Sequence, residues 1–173
     1  GSSTANVTAQ HALFLSRIED RHGRDAARRY AKANQAGVAL IPELVARHGI
    51  ACAFEPAPAA VYASTDDGAE RMRAEAEAAR RAGLPMELTT DAGLPSPVTA
   101  ALRLDGQYQF HPVHFVTGLA ATIPGDGGHV FEQTRALAWD DTGVETAQGK
   151  IRAGRVIMAT HLPLDQVGQF YAH

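Results

Sequence analysis

The run Pro124-Gly125-Asp126-Gly127-Gly128 divides the sequence into two stretches with different hydrophobic periods, and no regular element can cross it. Before it, apolar residues recur every three or four positions over long segments, the spacing of helices packed on a core. After it, residues 129–134, 137–140, 144–147, 150–152 and 155–160 read as short strands parted by Asp141-Thr142-Gly143, Gln148-Gly149 and Gly154. The second stretch is therefore expected to form an antiparallel meander followed by a buried strand, Val156-Ile157-Met158-Ala159. At 173 residues the chain has room for one domain and a small annex, and the expected class is α+β.

Within the first stretch, Leu13, Phe14, Leu15 and Ile18 predict a helix over 10–18, ended by His22-Gly23. A longer helix is predicted over 24–48, where Ala27, Tyr30, Asn34, Val38, Ile41, Val45 and His48 step by three or four and Gly49 caps the end. Pro42 lies inside it and removes one backbone donor, so a kink or break is expected over 38–42. Ile50, Cys52 and Phe54, then residues 59–63, alternate as two short strands beneath that helix. Asp66-Asp67-Gly68 offers an N-cap to a helix whose stripe Ala69, Met72, Ala76 and Ala79 runs to Gly83, with its charges facing solvent. Residues 84–97 read as loop; Val98, Ala100, Leu102 and Leu104 as a strand; Asp105-Gly106 as a hairpin turn with 107–110 returning. Pro112 suits the first turn of an apolar helix over 113–123.

Sixteen basic against 19 acidic residues leave a net charge of −3, too little to drive binding to nucleic acid or an anionic membrane. No window approaches the roughly 18–20 apolar residues of a membrane span. The single cysteine, Cys52, allows no internal disulfide and no multi-thiolate metal site, which fits a cytoplasmic location. The sequence has no phosphate-loop, nucleophile-elbow, H-E-x-x-H, C-x-x-C or G-x-G-x-x-G motif. His111 and His114, three apart on one helical turn, allow either a metal pair or a histidine that caps the helix or faces a pocket. Cys52 reads as a buried thiol or a nucleophile, and Asn34 as a structural amide or a ligand contact.

Three collinear stretches say more. They are Gly1-Ser2-Ser3-Thr4-Ala5-Asn6-Val7-Thr8-Ala9-Gln10-His11; Gly106-Gln107-Tyr108-Gln109-Phe110-His111-Pro112; and Gly128-His129-Val130-Phe131-Glu132-Gln133-Thr134-Arg135-Ala136 with Val156-Ile157-Met158-Ala159-Thr160-His161-Leu162-Pro163. With Tyr30-Ala31-Lys32-Ala33-Asn34-Gln35-Ala36 in the long helix, they resemble the D-amino acid oxidase/glycine oxidase (DAO) family of FAD-dependent oxidoreductases, including its Rieske-linked branch. The resemblance implies a substrate domain of mixed sheet and helices, followed by a meander belonging to a Rossmann-like FAD domain whose first βαβ unit precedes this chain. Residues 1–20 would then be the FAD-contacting loop and first helix, 21–127 the substrate-domain portion, and 128–173 the meander and strand of the FAD domain.

The same resemblance assigns cofactor contacts to Ser2, Ser3, Thr4 and Ala5, to Thr134, Arg135 and Ala136, and to Ala159, Thr160 and His161. Asn6 stands where Rieske-linked relatives commonly have lysine, and His161 where many members have glycine. Tyr62, Gln109 and His111 are placed on the substrate side of the flavin. The implied activity is oxidation of an amine or amino acid C–N bond by hydride transfer to FAD, with no catalytic base assigned. The implied partners are a small amine or amino acid, the flanking segments of the same protein and a Rieske domain. The competing reading is a self-contained, non-catalytic α+β binding or interaction module. It predicts that the segments over 130–134 and 156–159 are covered by the chain itself.

Overall fold

The computed structural model describes residues 5–160. It divides into two compact units, one running up to Gly128 and the other beginning at His129. The helices of the first unit are α1 (Phe14–His22), α2 (Arg24–His48), α3 (Asp66–Ala82) and α4 (Pro112–Ala120). Its strands are β1 (Asn6–Val7), β2 (Glu55–Pro56), β3 (Ala59–Ala63), β4 (Glu87–Thr89), β5 (Ala100–Leu104) and β6 (Tyr108–Gln109). The second unit contains β7 (Ala136–Asp140), β8 (Gly143–Thr146) and β9 (Gly149–Arg152). The class is α+β as expected. Each of the three three-stranded sheets, ordered β1-β6-β2, β3-β5-β4 and β7-β8-β9, is paired antiparallel.

In the first unit, α1, α2 and α3 meet over Leu15, Ala27, Ala31, Ala78, Ala79 and Ala82, and the small side chains let the helices approach closely. The other side of α3 packs Ala69 and Met72 on Ala100 and Leu102 of the β3-β5-β4 sheet. Leu102 is fully buried and contributes about 1.5–3 kcal/mol of apolar burial. A third cluster joins Ile50, Cys52 and Phe115, with Ile41, Leu44 and Val45 of α2 against it. Cys52 is thus a buried thiol in an apolar setting.

Several expectations are corrected by tertiary context. The helix predicted over 10–18 begins later, at Phe14, because Ala12 has φ 46° and because the carboxylate of Glu75 fixes the first turn. Of the kink or break expected over 38–42, the break does not occur: α2 runs on through Pro42, with Val38 in one cluster and Ile41, Leu44 and Val45 in another. The N-cap of α3 is Thr65, one residue before Asp66, its hydroxyl accepting from the Gly68 N–H. Ile50, Cys52 and Phe54 form no strand, since Ala53 has φ 48° and the Cys52 carbonyl is taken by the His111 N–H. The strand over 59–63 lies beneath α3, with which it shares the cluster of Val61 and Ala63, and not beneath α2. Within the predicted loop, Glu87–Thr89 forms an edge strand.

The chain bends at Gly106, where φ is 70°, but the expected hairpin turn does not form and 107–110 does not return along β5. Both edges of β5 are already occupied, by β3 and β4, so β6 pairs with β1 and β2 instead. In the second unit the meander is as expected, but two predicted strands are absent. Residues 129–134 contain a turn at Glu132-Gln133, with Gln133 at φ 52°. Residues 156–159 belong to no strand, and Ile157 is 88% exposed, because no strand among the described residues lies alongside to take their backbone hydrogen bonds.

The β7–β8 turn is tied by Asp140, whose carboxylate accepts from the Thr142 hydroxyl at 2.5 Å, the Thr142 N–H at 2.8 Å and Lys150 Nζ at 3.1 Å. These donors, Thr142 first, hold the Asp140 carboxyl well below the usual aspartate range. A depressed folded pKa stabilises the turn fully above the unfolded value of about 4, and the effect is lost as pH falls through the folded value. In a carboxyl-carbon NMR titration Asp140 is expected to protonate well below an ordinary aspartate, and Thr142→Val to move the midpoint upward. An ordinary midpoint in the unaltered chain refutes this account.

Candidate functional site

In the first unit Ala5, Gln109 and His111, three of the residues assigned by resemblance, lie on or next to β6. The strand is bounded by Gln107, which is buried and whose side chain ties two loops: its Oε1 accepts from the Ala9 N–H at 2.9 Å and its Nε2 donates to the Asp105 carbonyl at 3.1 Å. That bracket sets β1 beside β6 in register, Asn6 opposite Gln109 and Val7 opposite Tyr108. On the other edge, Glu55 lies opposite Gln109, and the Gln109 side-chain amide donates to the Glu55 carboxylate. Phe54 stacks on Tyr108 at 4.7 Å and closes the end of this small sheet.

Ala5 precedes β1 with φ 66°, a left-handed conformation that its small side chain tolerates better than a bulky one would. Its carbonyl accepts from the Phe110 N–H at 3.1 Å. The predicted cofactor loop therefore ends hydrogen-bonded between Gln109 and His111, two of the residues predicted to face substrate. His111 itself donates its N–H to the Cys52 carbonyl at 2.6 Å, and its Nδ1 accepts from the His114 N–H at 3.2 Å, capping α4. The two imidazoles stack at 3.7 Å. Of the two readings of this pair, the cap is the one observed; among the described residues no group of three or more metal-ligating side chains occurs.

A cleft of about 370 Å³ opens between the two sheets of this unit. Its polar wall is Asn6, Thr8, Gln10, Gln107, Tyr108 and Gln109, and the small residues over 57–61 form the opposite side. Gln109 thus lies on the cleft, whereas His111 and Tyr62 do not line it. Tyr62 is 55% exposed on β3, on the sheet face turned away from α3. Asn34 donates its amide to the Tyr30 carbonyl, the structural alternative.

Elsewhere in the first unit, His11 Nδ1 and the Tyr30 hydroxyl are 2.8 Å apart. Burial, and then the Glu75 carboxylate, push the Tyr30 phenol above its ordinary pKa. Glu75 is 1% exposed, and its two oxygens accept from the Leu15 and Ser16 N–H groups at 2.8 Å each. Sequence reasoning placed the charges of α3 in solvent and missed it. The signal was its position, three after Met72 and four before Ala79, on the apolar stripe.

In the second unit, Thr134 is half-buried with its hydroxyl on the Glu132 carbonyl, Arg135 is exposed, and Ala136 opens β7 opposite Thr146. Ala159 and Thr160 are exposed. Ser2, Ser3, Thr4 and His161 lie outside the described residues.

Comparison with known proteins decides the family. The sequence profile of the FAD dependent oxidoreductases (DAO) matches residues 1–170. The chain belongs to this family. FAD is accordingly the family's cofactor. A curated relative of this FAD-dependent oxidoreductase chain, named as a Rieske 2Fe-2S iron-sulfur protein, YhfW of Bacillus subtilis (strain 168), is 29% identical over 174 residues, covering 98% of this chain and 34% of the relative. The fold is shared with L-proline dehydrogenase from P. horikoshii (TM-score 0.61, 19% identity, 72% of this chain and 36% of that one). It is shared also with glycine oxidase from Geobacillus kaustophilus (TM-score 0.62, 19% identity, 91% and 44%). The chain thus spans about a third of the curated relative's length. Among the described residues, no helix of this family member is long and apolar enough to cross a membrane.

Proposed function

We propose that this chain supplies the substrate-side wall and part of the cofactor flank of a flavoenzyme that oxidises an amine or amino acid C–N bond. The observation that carries this reading is the Ala5–Phe110 hydrogen bond, which joins the end of the cofactor loop to the Gln109–His111 segment beside a cleft of substrate size. Bound FAD would supply the acceptor for the hydride leaving the carbon that bears nitrogen. The resulting imine would then be hydrolysed by water.

The residues present fit the flank of such a group. Ala5 offers a methyl side chain and a left-handed backbone, so a flat ring meets no bulk there. Ser2, Ser3 and Thr4 bring hydroxyl and N–H donors suited to phosphate oxygens. Thr134, Arg135, Ala136, Ala159, Thr160 and His161 complete the assigned contacts, and Tyr62, Gln109 and His111 the substrate side. Gln109, held by Glu55, can orient a polar substrate group, and Gln107 keeps β1 and β6 in place. The name of the curated relative supports a Rieske domain as partner and electron carrier.

The test is the parent protein loaded with FAD, mixed without oxygen with small amines and amino acids. Bleaching of the flavin's visible band, with release of ammonia or an amine and a carbonyl product, is expected. A protein that binds no FAD, or whose flavin responds only to hydroxy acids, refutes the proposal. The self-contained module reading is disfavoured by the exposure of Ile157, Met158, Val130 and Phe131, which that reading required to be covered.

A further inference from the structure

Asn6, Gln109 and Glu55 form one row across the β1-β6-β2 sheet. Gln109 stands opposite Asn6 on one side and Glu55 on the other, and residues directly opposite in an antiparallel sheet project to the same face. All three are exposed, whereas in the alternate row Val7 is buried and Tyr108 half-buried. The hydrogen bond from Gln109 Nε2 to the Glu55 carboxylate fixes the amide, since turning it over would set Oε1 against the carboxylate. Among the described residues no donor engages Gln109 Oε1, and none of the ion pairs includes Glu55. The row therefore holds an unneutralised carboxylate beside an oriented carbonyl oxygen, and both are open to solvent. A positively charged group with several N–H donors, an ammonium or a guanidinium, complements that pair.

We infer that Glu55 is a specificity-determining residue whose carboxylate receives a second, cationic nitrogen of the substrate, several bonds from the nitrogen-bearing carbon that is oxidised. The inference rests on the reaction proposed above, and it narrows the substrate class to dibasic amines and basic amino acids. Asn6 and Gln109 line the cleft, and Asn6 directly follows Ala5, whose carbonyl is bonded to the Phe110 N–H. Glu55 sits on β2, two strand spacings from β1, which places it about 10 Å across the sheet from the strand that carries Asn6. A molecule with one end in the cleft thus reaches Glu55 only through an extended chain of the length found in lysine or arginine. None of the side chains lining the cleft carries a formal charge, so Glu55 is the group beside it that separates a cationic tail from an apolar one.

The experiment uses the FAD-loaded parent protein without oxygen and compares racemic lysine with racemic norleucine, which lacks only the terminal ammonium. Dissociation constants come from the saturation of flavin reduction or, where the flavin stays oxidised, from calorimetry. Lysine is expected to bind about 5- to 50-fold more tightly than norleucine, the range of a charge-assisted hydrogen bond at a partly open site, and the ratio should shrink as salt is added. Glu55→Gln should bring the ratio to within about twofold of one, and Glu55→Lys should reverse it, so that racemic 2-aminoadipate binds more tightly than lysine. Glu55 is exposed on an edge strand, so both variants are expected to fold, and circular dichroism checks this. Equal binding of lysine and norleucine, no binding of either, or a preference for lysine that survives Glu55→Gln or Glu55→Lys overturns the inference. Failure of the oxidation reading is distinguishable: the preference for lysine, with its dependence on Glu55, is then seen by calorimetry while the flavin stays oxidised.

Discussion

Replacing Glu75 by alanine is expected to destabilise the first unit by about 3–5 kcal/mol, the range for removing one partner from a buried charged contact. The start of α1 has no cap of its own: Leu13 stands at the N-cap position and no side chain there bonds to the helix. Glu75 replaces it from α3, placing a carboxylate on the positive end of α1 and satisfying two N–H groups that are otherwise orphaned. Alanine leaves the buried Leu15 N–H and the half-buried Ser16 N–H without that acceptor and opens a void beside Leu15. Glu75→Gln keeps one acceptor and turns an NH₂ group toward the other donor, so a smaller loss of about 1–3 kcal/mol is expected. Urea unfolding followed by circular dichroism measures both. A loss below about 1 kcal/mol for the alanine variant would mean that the contact is no more than a surface ion pair in effect.

The second large effect is expected at Gly143, between β7 and β8. Its φ is 150°, and a Cβ built there would lie 2.0 Å from the Ile151 carbonyl oxygen and 3.0 Å from the Arg152 Cα. Both are backbone atoms of β9, so Gly143→Ala must push β8 and β9 apart; a cost of about 3 kcal/mol or more is expected, within the range of severe backbone strain. The meander is small and has no buried apolar cluster among the described residues to absorb it. Gly49→Ala is the control. Its φ is 59° but its Cβ would meet nothing within 4 Å, so only the conformational cost of about 1 kcal/mol applies. Hydrogen exchange over 143–152 and the fluorescence of Trp139, which lies opposite Val144, report the meander selectively. Unchanged exchange in Gly143→Ala would refute the clash.

Local signals located the elements that local forces make. The ends of α2 at Arg24 and Gly49, the Pro112 start of α4 and the meander turns follow from caps, fixed φ values and strand alternation. What remained hidden was partnership. Asp105-Gly106 reads as a hairpin turn and the fold has only a bend at Gly106, because its spacing carries no record that β3 and β4 would fill both edges of β5. Val156-Ile157-Met158-Ala159 is apolar enough for a buried strand, yet apolarity creates no neighbour to bury it. Glu75 was concealed among the charges of α3, since composition does not distinguish an acid turned to water from one turned toward another helix. In the candidate site, the motif around Gln109 and His111 could be named from resemblance. The cleft beside it, with Gln10 in its wall, required coordinates.

The cap on α4 has a consequence for His111. With Nδ1 engaged as an acceptor, the neutral ring carries its proton on Nε2, and that nitrogen has no lone pair to give. A ring in this tautomer can donate toward a bound molecule but cannot take a proton from it without releasing the first turn of its own helix. His111 is in this respect already spoken for by the backbone, and any chemistry it joins is that of a fixed donor.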